Sequence, residues 1–483
     1  MGFAAVQRIV GLLIAASSLM MLPPVLVSFW YDDGTAGLFM ISAAILLLTG
    51  LVTYFPVRNV RRELRLRHGF LIVVSAWLAW VLVGALPFVL LNQPQLSYVD
   101  AVFESMSGLT TTGATIVTDI DALPRAVLYY RQQLQWLGGM GIIVLAVAIL
   151  PMLRVGGMQL YRAETPGPMK DTKLTPRITE TAKALWLIYF GITVTCVFAY
   201  WLAGMKLFDA VGHAFSTVAI GGFSTHNDSL AFWNNPTVEA VAIVFMSIAG
   251  INFALHFTAW RRASAQPYFA DPELRVYAYL MLGFSVLVSF ALYLTGTYDS
   301  LASAFRYGVF QVISAMTTTG FTTAPFYQWT GFLPVLLICI AFIGGCAGST
   351  AGGMKVIRVM LLYRQSIREV RRLIHPHAII PVKVGGQRAS DTVISAVWGF
   401  FFLYIANFAV MTILLTATGL DAETAYSAVG ACITNLGPAL GDAGPNYASL
   451  NNTAKVILSI AMLLGRLEIY TLLVLLTPAF WRD

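Results

Sequence analysis

Long apolar segments alternate with short polar ones along most of this chain. A membrane-spanning helix needs about 20 apolar residues, and about ten segments satisfy this. They lie near residues 9–30, 36–57, 70–92, 130–152, 184–204, 236–260, 276–296, 331–356, 392–417 and 454–480. The pattern predicts an all-α polytopic membrane protein with about ten transmembrane helices.

Four further apolar segments of about 12 residues are too short to cross a bilayer and favour re-entrant half-helices. They centre near residues 101–112, 209–220, 303–318 and 422–436. Each ends in a string that contains one shared glycine, and we call these strings glycine segments 1 to 4. They are TTTGA at 110–114, AIGGF at 219–223, TTTGF at 317–321 and TNLGP at 434–438.

The glycine segments recur with a regular spacing that indicates an internal repeat. The shared glycines Gly113, Gly222, Gly320 and Gly437 are separated by 109, 98 and 117 residues. A second glycine follows each one after 26, 28, 25 and 28 residues, at Gly139, Gly250, Gly345 and Gly465. We therefore predict four span–P-loop–span repeats around one pore, at 67–160, 161–262, 263–375 and 376–483, preceded by a helix pair at 1–66.

Composition agrees with a membrane protein and excludes several other classes. Hydrophobic residues make up 58% of the chain and charged residues 11%, and the mean hydropathy is +0.74. These values exclude an ordinary soluble enzyme and a disordered chain. The four cysteines show no CxxC spacing, so neither a disulfide framework nor a zinc site is predicted.

The distribution of basic residues predicts the orientation of the chain. Of the 30 Lys and Arg residues, 24 fall on one side when ten spans alternate. That side is then cytoplasmic and contains both termini. The opposite side has thirteen acidic residues against five basic ones, an excess that would concentrate cations at an outer mouth.

Repeated glycine segments at membrane depth suit the binding of a dehydrated cation. Such an ion is coordinated by several oxygens, and backbone carbonyls provide them when consecutive C=O groups face one axis. This conformation requires positive φ angles, which glycine adopts readily. Four copies of TTTG-like sequence in equivalent places favour a ring of carbonyls over a simple helix C-cap at each place.

These four P-loops, together with GGCAGSTAGGMK at 344–355 and GGMGI at 138–142, resemble the Trk/Ktr/HKT superfamily of potassium transporters. The resemblance covers essentially the whole chain. It implies potassium uptake across the bacterial inner membrane, with potassium as the transported ion and no organic cofactor on this chain. It also implies a homodimer and a cytosolic partner, a TrkA-like ring of Rossmann-type nucleotide-binding domains. Membrane lipid is the other expected contact, and no nucleic acid is expected.

The resemblance also assigns the selectivity filter. The carbonyls are expected from Thr111, Thr112 and Gly113; Ile220, Gly221 and Gly222; Thr318, Thr319 and Gly320; and Asn435, Leu436 and Gly437. Some plant sodium-transporting relatives have serine at the first shared position, so Gly113 argues for potassium. Only one glycine is common to all four segments, which leaves room for some passage of sodium.

Two further features lie below the expected filter. A run of glycines should interrupt the span at 331–356, because each glycine costs a helix about 1 kcal/mol. The family uses this stretch as an intramembrane gate; the residues are Gly344, Gly345, Gly348, Ser349, Thr350, Gly352 and Gly353. Small-residue helix packing is the alternative. Arg466, in the last span, is expected to be a pore barrier that repels cations or anchors the gate, unless it forms a structural pair with Glu468 or another helix.

The basic loops 355–388 and 154–183 are the predicted docking surfaces for the cytosolic partner, although positive-inside topology also accounts for them. Two other classes of function fit the sequence less well. A carrier with alternating access usually has inverted repeats, whereas these repeats share one orientation. A membrane enzyme would need clustered catalytic side chains within the membrane. We therefore predict a channel-like transporter rather than an enzyme, with an ion-coupled potassium or sodium carrier as the alternative.

Overall fold

The computed structural model describes residues 3–60, 66–144 and 178–481, and the regular secondary structure within them is helical apart from one short hairpin. The N-terminal region consists of α1 (Phe3–Ser17), α2 (Leu22–Tyr31) and α3 (Ala36–Tyr54). Helices α1 and α3 pack closely, since a methyl group at Gly50 would lie 2.3 Å from the backbone nitrogen of Ala15. Most of the predicted docking loop 154–183 lies outside the described residues.

Four groups of helices follow this pair. The first contains α4 (Leu66–Gly84), α5 (Leu86–Val89), α6 (Tyr98–Leu109) and α7 (Arg125–Val144). The second contains α8 (Ile178–Leu202), α9 (Leu207–Ala219), α10 (Pro236–Ala249), α11 (Phe253–Arg262) and α12 (Gln266–Ala270). The third contains α13 (Pro272–Leu294), α14 (Leu301–Met316), α15 (Leu333–Ile343) and α16 (Val356–Ile374). The fourth contains α17 (Asp391–Ala417), α18 (Ala422–Ile433), α19 (Asn452–Arg466), α20 (Tyr470–Leu476) and α21 (Pro478–Trp481).

Short elements connect these helices. Strands β1 (Lys383–Val384) and β2 (Gln387–Arg388) form an antiparallel hairpin, whose two-residue turn consists of Gly385 and Gly386 with φ of +56° and +82°. Such a turn requires positive φ at both positions, hence the glycine pair. Single 3₁₀ turns occupy Ser18–Met21, Phe55–Val57, Ser229–Trp233, Phe326–Gln328 and Gly441–Ala443.

Six helical segments among the described residues are long and apolar enough to cross a membrane, and two bent helix pairs raise the number to eight. The all-α polytopic membrane architecture is confirmed. The six are Phe3–Tyr31, Ala36–Val57, Gly69–Val89, Ala182–Leu202, Pro272–Leu294 and Asp391–Ala417. The remaining predicted spans, at 130–152 and 331–356, correspond to α7 and to the short α15. The count of ten stays a prediction.

Two predicted spans are not straight helices. The chain bends by 92° between α10 and α11, and by 116° between α19 and α20. The first bend follows Gly250, after which the side chain of Asn252 caps α11 by accepting a hydrogen bond from the Ala254 N–H. The second includes Glu468 at a φ of +53°, a conformation that ends a helix.

The four groups contact one another in a cyclic order. Helix α7 packs against α9, α10 against α14, and α15 against α18, while α19 returns to pack against α6. In each case the helix after a glycine segment packs on the short helix of the next group. This arrangement brings the C-terminal ends of α6, α9, α14 and α18 toward one centre, where the glycine segments lie.

Candidate functional site

The four short helices end in the same way, and this shared ending sets the direction in which each glycine segment leaves its helix. In every copy the N–H group before the shared glycine donates a hydrogen bond to the carbonyl five residues earlier, which is the longer bond of a Schellman motif. The N–H to O distances are 2.9 Å for Thr112 to Ser107 and 2.8 Å for Gly221 to Ser216, Thr319 to Ser314 and Leu436 to Ala431. The four chains therefore leave their helices with one shared geometry.

Two left-handed residues follow in each segment. The residue two before the shared glycine has a φ of +53° to +61°, and these residues are Thr111, Ile220, Thr318 and Asn435. The shared glycines Gly113, Gly222, Gly320 and Gly437 have φ of +83°, +79°, +81° and +94°. A β-branched residue such as Ile220 adopts this conformation only at a cost in energy, so the surrounding structure must impose it.

The structure brings the four glycines together in a closed ring. A methyl group at Gly113 would lie 2.2 Å from the carbonyl oxygen of Gly221 in segment 2. The same construction at Gly222 meets Thr319 O at 2.1 Å, at Gly320 it meets Leu436 O at 2.0 Å, and at Gly437 it meets Thr112 O at 2.4 Å. Each glycine thus contacts the carbonyl that precedes the next glycine, and a side chain at any of these four positions would force the neighbouring backbone to shift.

The carbonyl residues at this ring are buried within the protein. Thr111, Thr112, Thr318, Thr319 and Asn435 are at most 1% exposed. Threonine hydroxyls pair inside segments 1 and 3, with Oγ1 to Oγ1 distances of 2.8 Å for Thr110–Thr112 and 2.7 Å for Thr317–Thr319. The arrangement is suited to hold several oxygen ligands around a dehydrated cation.

A fully buried ion pair supports segments 1 and 2 from outside the ring. Arg131 Nε donates to Glu104 Oε1 at 2.8 Å, and both side chains are 0% exposed. Glu104 Oε2 also accepts from the Ile116 N–H, and the guanidinium lies 4.2 Å from the ring centre of Phe223. The pair therefore joins α6 and α7 to Ile116, which follows glycine segment 1, and to Phe223, the last residue of glycine segment 2.

Some of the charges counted on the outer side form ion pairs with one another. Glu104 pairs with Arg131, Glu239 with Arg306 at 2.6 Å, and Asp100 with Lys455 at 2.6 Å. Three of the five bases assigned to the outer side therefore neutralise acids of the same side. Because each pair removes one acid and one base, the predicted excess of acidic residues on that side is unchanged.

Residues 344–355, which we call the 344–355 stretch, are not helical, as the glycine run predicted. Gly344, Gly348 and Gly353 have φ of +73°, +72° and +72°, which excludes continuous helical packing there. Gly345 and Ser349 lie inside the stretch, where the Val356 N–H donates to Gly345 O and Ser349 Oγ donates to Cys346 O.

The stretch lies directly against the ends of three short helices. Thr350 Oγ1 donates to Val218 O at 3.0 Å, at the end of α9. The Gly352 N–H donates to the Thr318 hydroxyl at 2.7 Å, and the Gly353 N–H donates to Thr434 O at 3.0 Å. The stretch is therefore bonded to glycine segment 3 itself and to the residues that enter segments 2 and 4.

Arg466 contacts the same stretch. Its Nη1 donates to Thr350 O at 2.9 Å, and the side chain is 3% exposed. Its Nε and Nη2 have no hydrogen-bond partner within the described part of the chain. The alternative of an Arg466–Glu468 pair is not observed, because Glu468 pairs with Arg358 at 2.8 Å. The contact with Thr350 agrees with an anchor for the stretch.

Comparisons with known proteins identify the family. The sequence model of the TrkH family, described as a cation transport protein, matches residues 37–482. The chain belongs to the TrkH family. It is 54% identical to the Trk system potassium uptake protein TrkH of Halomonas elongata and 50% identical to that of Escherichia coli, with complete coverage of both chains in each case. The crystal structure of the potassium transporter TrkH from Vibrio parahaemolyticus matches with a TM-score of 0.93, 48% identity and full coverage of both chains.

Several residues of this TrkH-family protein that hold the site were not singled out from the sequence. Glu273 accepts hydrogen bonds from the Ala347 and Ile357 N–H groups at 2.8 and 3.1 Å, and so joins the 344–355 stretch to the first turn of α16. Its position at the start of an apolar span is an available signal, since an acid there is costly unless paired. Tyr447 donates to Gly437 O at 2.6 Å, and no sequence pattern indicates that contact.

Proposed function

We propose that this chain takes up potassium across the bacterial inner membrane through a channel-like pore. The observation that carries the proposal is the closed ring formed by Gly113, Gly222, Gly320 and Gly437, each against a carbonyl of the next segment. The relatives named as potassium uptake proteins share the full length of the chain. A ring of backbone oxygens can replace the water that a potassium ion loses on entering.

The filter consists of the carbonyls of Thr111 to Gly113, Ile220 to Gly222, Thr318 to Gly320 and Asn435 to Gly437. The C-terminal ends of α6, α9, α14 and α18 point toward it. Because a helix C-terminus carries a partial negative charge, four of them stabilise a cation at their common focus. No ionised side chain is needed to bind the ion in this arrangement.

Four span–P-loop–span repeats, at 67–160, 161–262, 263–375 and 376–483, make up the pore, after the helix pair at 1–66. The cyclic packing of the helices supports this division. The short helices enter as re-entrant loops between ten spans, with both termini in the cytoplasm. The excess of basic residues on one side supports that orientation.

The 344–355 stretch is the gate, with Arg466 as its anchor and as a barrier to cations. Hydrogen bonds from Thr350, Gly352 and Gly353 to the filter segments or their entrances support a closed position. Opening requires these bonds and the Arg466 contact to break together. A buried guanidinium on the ion path also repels a cation until the stretch moves.

The functional unit is a homodimer regulated by a TrkA-like cytosolic ring of nucleotide-binding domains. The relatives are named as parts of a Trk system, which agrees with more than one component. Helix α16, at the cytoplasmic end of the gate, contains Arg364, Arg368, Arg371 and Arg372 and offers a basic surface to such a partner.

The filter proposal is tested with the purified full chain in lipid vesicles. We expect potassium and rubidium to move along their gradients with measurable single-channel current. Gly113→Ser should increase the share of sodium, because its side chain would meet Gly221 O within the ring. Gly296→Ser is the matched control, since Gly296 also has a positive φ, +66°, but no neighbour within 4 Å. Saturable flux without single-channel current would favour a carrier instead.

A further inference from the structure

The amide of Gln135 is bonded to glycine segment 2 on both sides of the shared glycine. Its Nε2 donates to Gly221 O at 2.6 Å, and its Oε1 accepts from the Phe223 N–H at 3.1 Å. The side chain is 0% exposed and lies on α7, in the preceding repeat. The amide thus bonds through both its nitrogen and its oxygen, and these two bonds fix the peptide groups before and after Gly222.

The bonded carbonyl is one of those that form the ring. Gly221 O is also the atom that a methyl group at Gly113 would meet at 2.2 Å. One oxygen therefore contacts the glycine of segment 1 and accepts a hydrogen bond from Gln135. A carbonyl that already accepts a hydrogen bond has a fixed direction, and the donor shares the oxygen lone pairs that would otherwise face an ion.

The other three carbonyls of the ring have different surroundings. No side-chain hydrogen bond among the described residues reaches Thr112 O, Thr319 O or Leu436 O, although Tyr447 donates to the neighbouring Gly437 O in segment 4. The Gly221 carbonyl therefore differs from the other three carbonyls of the ring, because it accepts a hydrogen bond from a side chain. The strength of the oxygen ligands contributes to the choice between potassium and sodium.

We propose that Gln135 is a positioning residue that sets potassium-over-sodium selectivity by holding the Gly221 carbonyl of segment 2. This inference rests on the proposed potassium pore. Without the amide, Gly221 O and the Phe223 N–H would both be buried without a hydrogen-bond partner. The peptide group of Gly221 would then rotate toward a different donor. The ring would then lose its fixed geometry at one of its four sides.

The experiment measures potassium and sodium flux through the purified full chain in vesicles. Gln135→Met keeps the length of the side chain and removes both bonds, while Gln135→Asn keeps the amide but moves it away by one methylene group. We expect the potassium-to-sodium flux ratio to fall about fivefold in both variants, the change expected when one net hydrogen bond is lost. Thermal stabilisation by potassium relative to sodium should fall in parallel.

Gln133→Met is the matched control. Gln133 lies on the same helix and is buried, but its Nε2 donates to Met20 O, away from the glycine segments. Its flux ratio should equal that of the unmodified chain.

An unchanged ratio in either folded Gln135 variant would overturn the inference while the pore proposal stands. The inference is equally overturned if neither variant folds but Gln133→Met does, since Gln135 would then be purely structural. Absence of selective potassium flux through the unmodified chain would instead refute the pore proposal itself.

Discussion

Two glycine clusters of similar sequence adopt opposite structures in this protein. Gly138, Gly139 and Gly141 lie within α7, which continues to Val144, whereas Gly344 and Gly345 end α15 and begin the non-helical 344–355 stretch. Both clusters follow a glycine segment by a similar number of residues. The density of glycine therefore does not decide whether the helix continues.

The neighbours of each cluster explain the difference. In α7, a methyl group at Gly138 would lie 1.9 Å from Leu109 O, so this glycine lets the end of α6 approach the helix. In the 344–355 stretch, the backbone groups instead find partners outside it, among them Glu273, Thr318 and Thr434. A broken helix is stable in the membrane only where its free N–H and C=O groups are bonded in this way.

The largest expected effect concerns the ion pair that fixes α7. Arg131→Met leaves Glu104 charged and buried, so the free energy of unfolding should fall by about 3–5 kcal/mol. Arg306→Met is the control, because the Arg306 side chain is 27% exposed, so its truncation opens the pair to water although Glu239 itself is only 4% exposed; it should cost about 1–2 kcal/mol. Denaturation in detergent micelles measures both. Equal losses of stability in the two variants would mean that the Arg131–Glu104 pair does not stabilise the protein more than a partly exposed pair does.

A smaller effect is expected from Gly138→Ala. The added methyl group would separate α6 from α7, at a cost of about 1–3 kcal/mol in stability. Gly141→Ala tests the same helix without the clash, since its nearest neighbour is Trp77 Cζ2 at 3.6 Å. That variant should be at least as stable as the unmodified chain, because alanine favours a helix. If Gly138→Ala is equally stable, close approach is not the reason for the glycine.

The smallest expected effect concerns the hydrogen bonds that Thr350 of the 344–355 stretch donates to neighbouring helices. Thr350→Val keeps the shape of the side chain but removes its hydrogen bonds to Val218 O and Ala249 O. One net hydrogen bond is worth about 1 kcal/mol, so basal potassium flux should rise about fivefold.

Thr412→Val serves as the reference for this change, since the Thr412 hydroxyl bonds only within its own helix, to Phe408 O at 2.8 Å. Flux should stay at the basal level in that variant. A Thr350→Val protein with basal flux would show that the stretch is not the barrier.

The sequence was sufficient for the features that repeat. Apolar length predicted the helical membrane fold, and the spacing of Gly113, Gly222, Gly320 and Gly437 predicted the four segments that the structure brings together. The glycine run predicted the break after Ile343. These signals are local, or recur at a fixed interval, so they can be recognised without knowledge of the tertiary contacts.

The contacts that differ between repeats could not be predicted. Gln135 and Glu273 bond to backbone groups far away in the chain, and Tyr447 bonds to one ten residues earlier. The local sequence of these residues does not indicate the partner. The bends after Gly250 and Gly465 were likewise missed, because the apolar pattern continues through them. Glu104 and Arg131 were counted among the charges of the outer side without being paired, because their pairing depends on the packing of α6 against α7.

The ring is built from four segments of a single chain, and this has a practical consequence for mutagenesis. In a pore assembled from four identical subunits, any substitution appears four times and its effects multiply. Here a change at Gly222 or Gly320 alters one glycine and its contact with the carbonyl of the next segment, and it leaves the other contacts of the ring intact. The contribution of each glycine segment can therefore be measured separately. Substitutions in two opposite segments can also be combined, to learn whether their effects on ion flux are additive.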